Sequence, residues 1–225
     1  MKHFIFITLA AVLASGCIVK ETRHDLYLEP DGGLTWTVLE TGIRAEGGTP
    51  EDRREEENRY LDEYLAGGHS ISEALALLGP ERIDGRLLRA ERPFSVWTEA
   101  RYGSLDGLGR RFLELLEVPG EASLELENGR GRFEFTCRVR PACPGDGDGS
   151  SAAEAAKTLG ALADNLDCYR LVLTDGRFTG ASGFRLLENG RVAVMEAVDE
   201  QKLEAAGGIL HLSLDWDAAA ASSRN

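Results

Sequence analysis

LELENGRGRFEFTCRV, residues Leu124–Val139, decides the fold class. Leu124 and Leu126 face one way, and Phe133, Phe135, Cys137 and Val139 return on the same side. Arg132, Glu134, Thr136, Arg138 and Arg140 occupy the alternate positions. Asn128-Gly129 between the two runs is the dipeptide that tolerates two consecutive left-handed residues, as a tight hairpin turn requires. The stretch therefore reads as an antiparallel hairpin with one apolar and one wet face.

The same period-two pattern recurs on either side. Leu26 and Leu28, the turn Pro30-Asp31-Gly32-Gly33, then Leu34, Trp36 and Val38 predict a second hairpin whose first strand begins near Arg23. Strands follow over 87–91 and 94–102 around Pro93, over 169–174, over 183–187 and 191–195 across Asn189-Gly190, and over 210–216. The pentapeptide Leu-Glu-Asn-Gly-Arg occurs at 126–130 and 187–191. Its flanks match poorly, so it reads as a reused turn sequence in preference to a duplicated unit.

Helices separate these strands. Thr49-Pro50-Glu51-Asp52 supplies a hydroxyl cap, a proline at the first helical position and an acid at the third, and Gly67-Gly68 ends the helix. Its first half is charged all round; Tyr60, Leu61, Tyr64 and Leu65 offer the apolar stripe. Ser70 with Glu73 reads as a second capping box. Ser104 caps a helix whose face is Leu105, Leu108, Phe112, Leu115 and Leu116, and a helix is expected from Ser151 with Ala155, Leu159, Leu162 and Leu166 inward. The fold class is α+β: antiparallel hairpins and meanders forming a sheet, with helices packed on one face.

Residues 141–151 (PACPGDGDGSS) form the one linker. It divides a lobe over 23–140 from one over 152–216, the second either continuing the first domain or standing as a small one. The tail over 217–225 is small and polar and is expected to be disordered.

The chain opens with Lys2 and an apolar run from Phe4 to Ala14 broken only by Thr8, too short to remain as a spanning helix. Leu13-Ala14-Ser15-Gly16-Cys17 resembles the lipobox of bacterial lipoproteins. The resemblance covers the first seventeen residues. It implies a signal peptide over 1–16, cleavage between Gly16 and Cys17, and diacylglycerol on the Cys17 sulfur. Ala14 stands where the family usually has Leu, Val or Ile, and Leu13 comes one place early. An ordinary secretory signal with a later cut, or an uncleaved anchor, are the alternatives. Residues 17–22 then serve as a short tether with a reach of ~20 Å. Ile18 follows the cysteine where Asp would signal inner-membrane retention, so the resemblance implies the outer membrane, facing the periplasm.

The net charge is −13, and the leader contributes only Lys2. An acidic body of this kind is repelled by nucleic-acid phosphates, which excludes nucleic acid as the expected partner, and by anionic headgroups. Membrane attachment must come from the lipid. With Cys17 acylated, Cys137, Cys143 and Cys168 remain. Export exposes them to an oxidising compartment. Three pairings are open; Cys143–Cys168 is favoured because the two flank the helix expected after the linker, while Cys137 lies on a buried strand face. That bridge would close a loop of about 25 residues and stabilise by about 3.5 kcal/mol.

Motifs for chemistry are missing. Asp146-Gly-Asp148-Gly-Ser150 opens like a calcium loop, but Ser151 stands at the glycine position and Lys157 at the terminal glutamate position. His24, His69 and His211 have no ligand spacing and read as solvated. No GxSxG, P-loop, GxGxxG or CxxC occurs. Glu51, Asp52, Glu55, Glu56 and Glu57 alternate with Arg53, Arg54 and Arg59, the pattern of a solvated helix. No metal and no cofactor is expected. Trp97, opposite in parity to Phe94, Val96 and Tyr102, is the candidate contact surface; packing beneath a helix is its other reading. These features point to a non-enzymatic envelope lipoprotein that binds another envelope protein through a sheet face or edge. Two alternatives stand: a carrier with an apolar pocket of several hundred Å³, and an envelope hydrolase with a dispersed acid–base cluster.

Overall fold

The computed structural model describes residues 17–138, 169–196 and 200–219. In chain order the elements are β1 (Cys17–Leu28), β2 (Leu34–Glu46), α1 (Pro50–Leu65), α2 (Ser70–Leu77), β3 (Arg82–Arg89), β4 (Phe94–Tyr102), α3 (Leu105–Leu115), β5 (Gly120–Glu127), β6 (Arg130–Arg138), β7 (Tyr169–Leu173), β8 (Arg177–Ser182), β9 (Phe184–Leu187), β10 (Val192–Met195), α4 (Glu200–Ala205) and β11 (Ile209–Asp217).

The strands form two sheets. The larger runs β3-β4-β2-β1-β7-β10-β9 and the smaller β5-β6-β11-β8. Each sheet takes strands from both sides of residues 139–168, so the two expected lobes are one body. The hairpins at 26–38 and 124–138 form as their alternation requires, with Asn128 and Gly129 at φ 51° and 75°. One pairing departs from the antiparallel expectation: β1 and β7 run parallel, with His24 opposite Tyr169 and Leu28 opposite Leu173. Strands this far apart in sequence are free of the hairpin constraint that enforces opposite directions.

Helices and the second sheet cover one face of the larger sheet. Leu26, Leu28, Leu34, Trp36, Val38, Ala100 and Tyr102 pack with α2, α3 and the inner side of the small sheet, where Phe133, Phe135, Leu214 and Trp216 lie. A second apolar cluster of Ile43, Tyr64, Phe94 and Val96 sits at the α1 end. Burying the 26 residues of the main cluster supplies the dominant favourable term, on the order of 1.5–3 kcal/mol for each large side chain.

Four local expectations are corrected. Residues 17–22 are not a slack tether. β1 is paired from its first residue, Cys17 opposite Glu46. On α3 the inward residue is Leu113, 7% exposed, and Phe112 is 39% exposed. Leu105, Leu108 and Leu113 better complete the stripe, because Phe112 lies one residue round the helix. Ser70 is the first residue of α2 and not its cap; His69 caps it, its Nδ1 accepting from the Ile71 N–H at 3.3 Å. The second Leu-Glu-Asn-Gly-Arg copy forms a 3-10 turn with Glu188, Asn189 and Gly190 all at positive φ, unlike the two-residue turn of the first.

Cys143, Cys168, the linker, the calcium-like stretch and the helix expected from Ser151 lie outside the described residues.

Candidate functional site: a buried polar cluster beneath helix α1

A bulge borders the site. Between Glu40 and Ile43, β2 carries one residue more than either neighbour: Glu40 pairs with Val96 and Ile43 with Phe94, while Glu21 and Val19 face Thr41 and Arg44. Gly42, at φ +65°, supplies the left-handed residue such a bulge uses. The insertion reverses side-chain parity, so Glu40 and Ile43 both point under the helices, at 1% and 0% exposure. Leu34, Trp36 and Val38 precede Glu40 on that face. A carboxylate thus occupies a position that alternation reserves for the core.

Its neighbours arrive from three elements. Lys20 of β1 forms an ion pair with Oε1 of Glu40. Lys20 Nζ also donates to the Tyr60 hydroxyl at 2.9 Å, which in turn donates to Oε1 at 3.1 Å. Tyr60 comes from α1 and packs edge-on to His69 of the α1–α2 turn. His69 Nδ1 is occupied as the α2 cap, so the neutral ring carries its proton on Nε2, which faces Glu40 Oε2 at 3.9 Å. That distance is too long for a hydrogen bond. Among the described residues, Glu40 Oε2 is the one buried side-chain oxygen or nitrogen with no partner. Next to it the Tyr64 hydroxyl donates to the Trp97 carbonyl at 2.6 Å, lies 3.1 Å from Thr98 Oγ1, and accepts from the Arg86 N–H at 3.1 Å.

A second histidine lies close by. His24 Nδ1 accepts from Trp36 Nε1 at 3.2 Å, and its ring stacks on Tyr169 at 4.4 Å. Burial drives its pKa down to about 4, against the opposing pull of Glu40 and Asp25. Burial also lowers His69, again opposed by Glu40. Both imidazoles are neutral at pH 7. Burial, reinforced by Glu40, keeps the Tyr60 hydroxyl protonated far above its ordinary range.

The solvated reading of His24 and His69 is therefore overturned: they are 2% and 4% exposed. The signal was present for His24, which shares parity with Leu26 and Leu28. Glu57 is also buried, at 7%. It falls on the Tyr60, Leu61, Tyr64 side of α1 and accepts from the Ala45 N–H at 3.1 Å and from Arg92 Nε at 2.6 Å. His211 is exposed.

Chemically, the cluster is an ion pair, a hydroxyl relay and two neutral imidazoles held between the sheet and α1. It can accept protons. Among the described residues no group of three or more His, Cys, Asp and Glu is arranged for a metal. The cluster includes no serine or cysteine.

The sequence-predicted positions lie apart from it. Cys17 is an exposed free thiol at the head of β1, Cys137 a buried one. Trp97 lies on the opposite face of β4, half-buried, with the Arg86 guanidinium 4.8 Å above its ring. Gly16, Cys143 and Cys168 lie outside the described residues. A surface cavity of about 1070 Å³ is an open trough on the small sheet, lined by Arg130 and Arg132 with Glu125, Glu127, Asp215 and Asp217 beside them. It is not the apolar pocket that a carrier needs. Among the described residues no helix is long and apolar enough to cross a membrane.

No known protein family and no curated protein matches the chain. Among solved structures it is similar to the NMR structure of the folded domain of LppM from Mycobacterium tuberculosis, at TM-score 0.33 and 10% identity, over 92% of this chain and 94% of that one. A likeness that slight carries no argument about role.

Proposed function

We propose that this chain is the globular domain of a lipid-anchored cell-envelope protein, a non-enzymatic accessory or binding module held through Cys17 and facing the periplasm from the outer membrane. One observation carries the reading: an exposed cysteine stands at the first residue of β1, directly after an apolar leader ending in Leu-Ala-Ser-Gly. A free thiol exposed at that place is accessible to a modifying enzyme. Stable anchoring needs two or more acyl chains, which diacylglycerol supplies. Its partner is another envelope protein.

The test is Cys17→Ser with cell fractionation and mass spectrometry of the mature N-terminus. The wild type should pellet with envelopes carrying a diacylglyceryl mass on Cys17. A variant that still pellets, processed like wild type, overturns the reading.

The Lys20–Glu40–Tyr60–His69 cluster favours a second reading, an envelope hydrolase using Glu40 and His69 as acid and base. Glu40 and His69 are 1% and 4% exposed, which ranks this reading second. Turnover of a panel of esters and glycosides by wild type, abolished in Glu40→Gln with the thermal midpoint retained, would support it. No turnover on any of them would remove it.

A further inference from the structure

The register of the larger sheet puts one end of it beside the anchor. Cys17 pairs with Glu46, Ile43 with Phe94, and Arg89 with Ser95. The β3–β4 corner, residues 90–93, therefore lies at the same end as Cys17, two to three strand spacings away, or about 10–15 Å. Residues 47–49 and the first turns of α1 leave the sheet at that end too. The corner is held there: Glu57 of α1 accepts from Ala45 of β2 and from Arg92 of the corner, while Arg92 Nη2 donates to Asn58 at 2.6 Å.

No slack separates this end from Cys17, because β1 is hydrogen-bonded from its first residue. The polar layer of a bilayer is about 5–7 Å deep on each side. An acyl chain on Cys17 consequently brings the corner to the headgroups.

Charge at this end is close to balance: within 17–20, 43–57 and 88–93 there are six bases, Lys20, Arg44, Arg53, Arg54, Arg89 and Arg92, against seven acids, in a chain whose net charge is −13. Lys20, Arg44 and Arg92 are taken by Glu40, Glu46 and Glu57. Arg54 and Arg89 are exposed. Leu88 sits where β3 slips register against β4 and is 56% exposed beside Arg89.

We propose that this end of the sheet, the Leu88–Pro93 corner with the first turns of α1, is a membrane-contact surface. It seats against phospholipid headgroups, with Arg54 and Arg89 as the contacts to their phosphates and Leu88 as the apolar one. The inference rests on acylation of Cys17. It goes further by fixing which face meets the bilayer, and it points the open trough of the small sheet elsewhere.

The experiment uses the full chain expressed with its leader. Leu88→p-benzoylphenylalanine is compared with Asp31→p-benzoylphenylalanine, a site on the β1–β2 turn at the far end of the sheet. Membranes are irradiated, and protein–phospholipid adducts and the mass of the mature N-terminus are read together. Cys17 carrying lipid, with an adduct at 88 about tenfold above that at 31, is the result expected. Adding Arg54→Gln and Arg89→Gln should lower the yield at 88, by up to roughly fivefold per charge removed. Lipid on Cys17 with equal adducts at 88 and 31 overturns the surface and leaves the anchor standing. A mature N-terminus without lipid overturns both. A yield indifferent to the two arginine substitutions overturns the arginine–phosphate contact.

Discussion

Glu57 Oε2 accepts from Arg92 Nε at 2.6 Å while its other oxygen accepts the backbone N–H of Ala45 at 3.1 Å, so one buried carboxylate ties α1 to two separate strands' ends. The two bonds are not equal in worth. The Ala45 N–H is buried; Arg92 is 44% exposed and keeps water as an alternative. Glu57→Ala should cost about 2 kcal/mol, the range for losing a hydrogen bond to a charged group that leaves a buried donor unpaired. Arg92→Ala should cost under about 1 kcal/mol, as for a partly exposed ion pair. Urea denaturation of both variants checks the order, and an Arg92→Ala loss as large as that of Glu57→Ala would contradict it.

The buried ion pair makes a prediction of opposite character. Glu40→Leu leaves Lys20, 24% exposed, with the Tyr60 hydroxyl but no counter-charge and should cost about 1–3 kcal/mol. Lys20→Met with Glu40→Leu removes both charges and should cost less than Glu40→Leu alone. A double-mutant cycle by chemical denaturation reads the difference; strictly additive losses would show the two charges to be independent.

Stability should fall in mild acid. His24 has a folded pKa of about 4, below its ordinary value of 6.5, because burial disfavours the cation. The unfolded chain therefore binds more protons between those two values. Stability is complete above pH 6.5 and is lost as pH falls toward 4, by about 3 kcal/mol for this residue. His69, lowered for the same reason, adds to the slope. Urea midpoints at pH 7.5 and 4.5 measure it, and a flat profile would mean that His24 is not held neutral.

Thiol reactivity separates the cysteines. Burial raises the Cys137 thiol above its ordinary pKa and closes it to reagents. On the proposed acylation of Cys17, native protein should leave Cys137 unlabelled by maleimide, and unfolding should release it. Denatured, unreduced protein should then show one reactive thiol if Cys143 and Cys168 are bridged, and three if they are not.

Close packing limits Gly131. A Cβ there would overlap the Trp216 ring. Trp216 is 1% exposed and its Nε1 donates to the Pro30 carbonyl at 3.5 Å. Gly131→Ala should cost at least about 1–3 kcal/mol, visible as a lower thermal midpoint and red-shifted tryptophan emission. An unchanged midpoint would show that the ring can withdraw.

Local pattern made much of this architecture legible. Alternation over 124–138, the Asn128-Gly129 turn, the Thr49–Asp52 capping box and the Ser104 cap all specify their own geometry within a few residues, and each forms. The parallel β1–β7 contact was not legible, because nothing in either strand encodes which way a partner about 145 residues away will run. The polar cluster stayed hidden for a related reason. Glu40 shares the parity of Leu34, Trp36 and Val38 but reads as surface by type, and only the Gly42 bulge, seen against both neighbouring strands, brings Ile43 to the same face. His24 and Glu57 carry the clue of shared parity or helix face, set against residue types that favour solvent.

The placement of β1 between β2 and β7 has a temporal consequence. The first strand to emerge has one flank that stays vacant until residue 169 follows, and the small sheet closes only when β11 slots between β6 and β8. Such long sequence separations slow folding. A growing chain thus remains an unfinished sheet with unsatisfied edges, open to chaperones until the last quarter of the sequence is available.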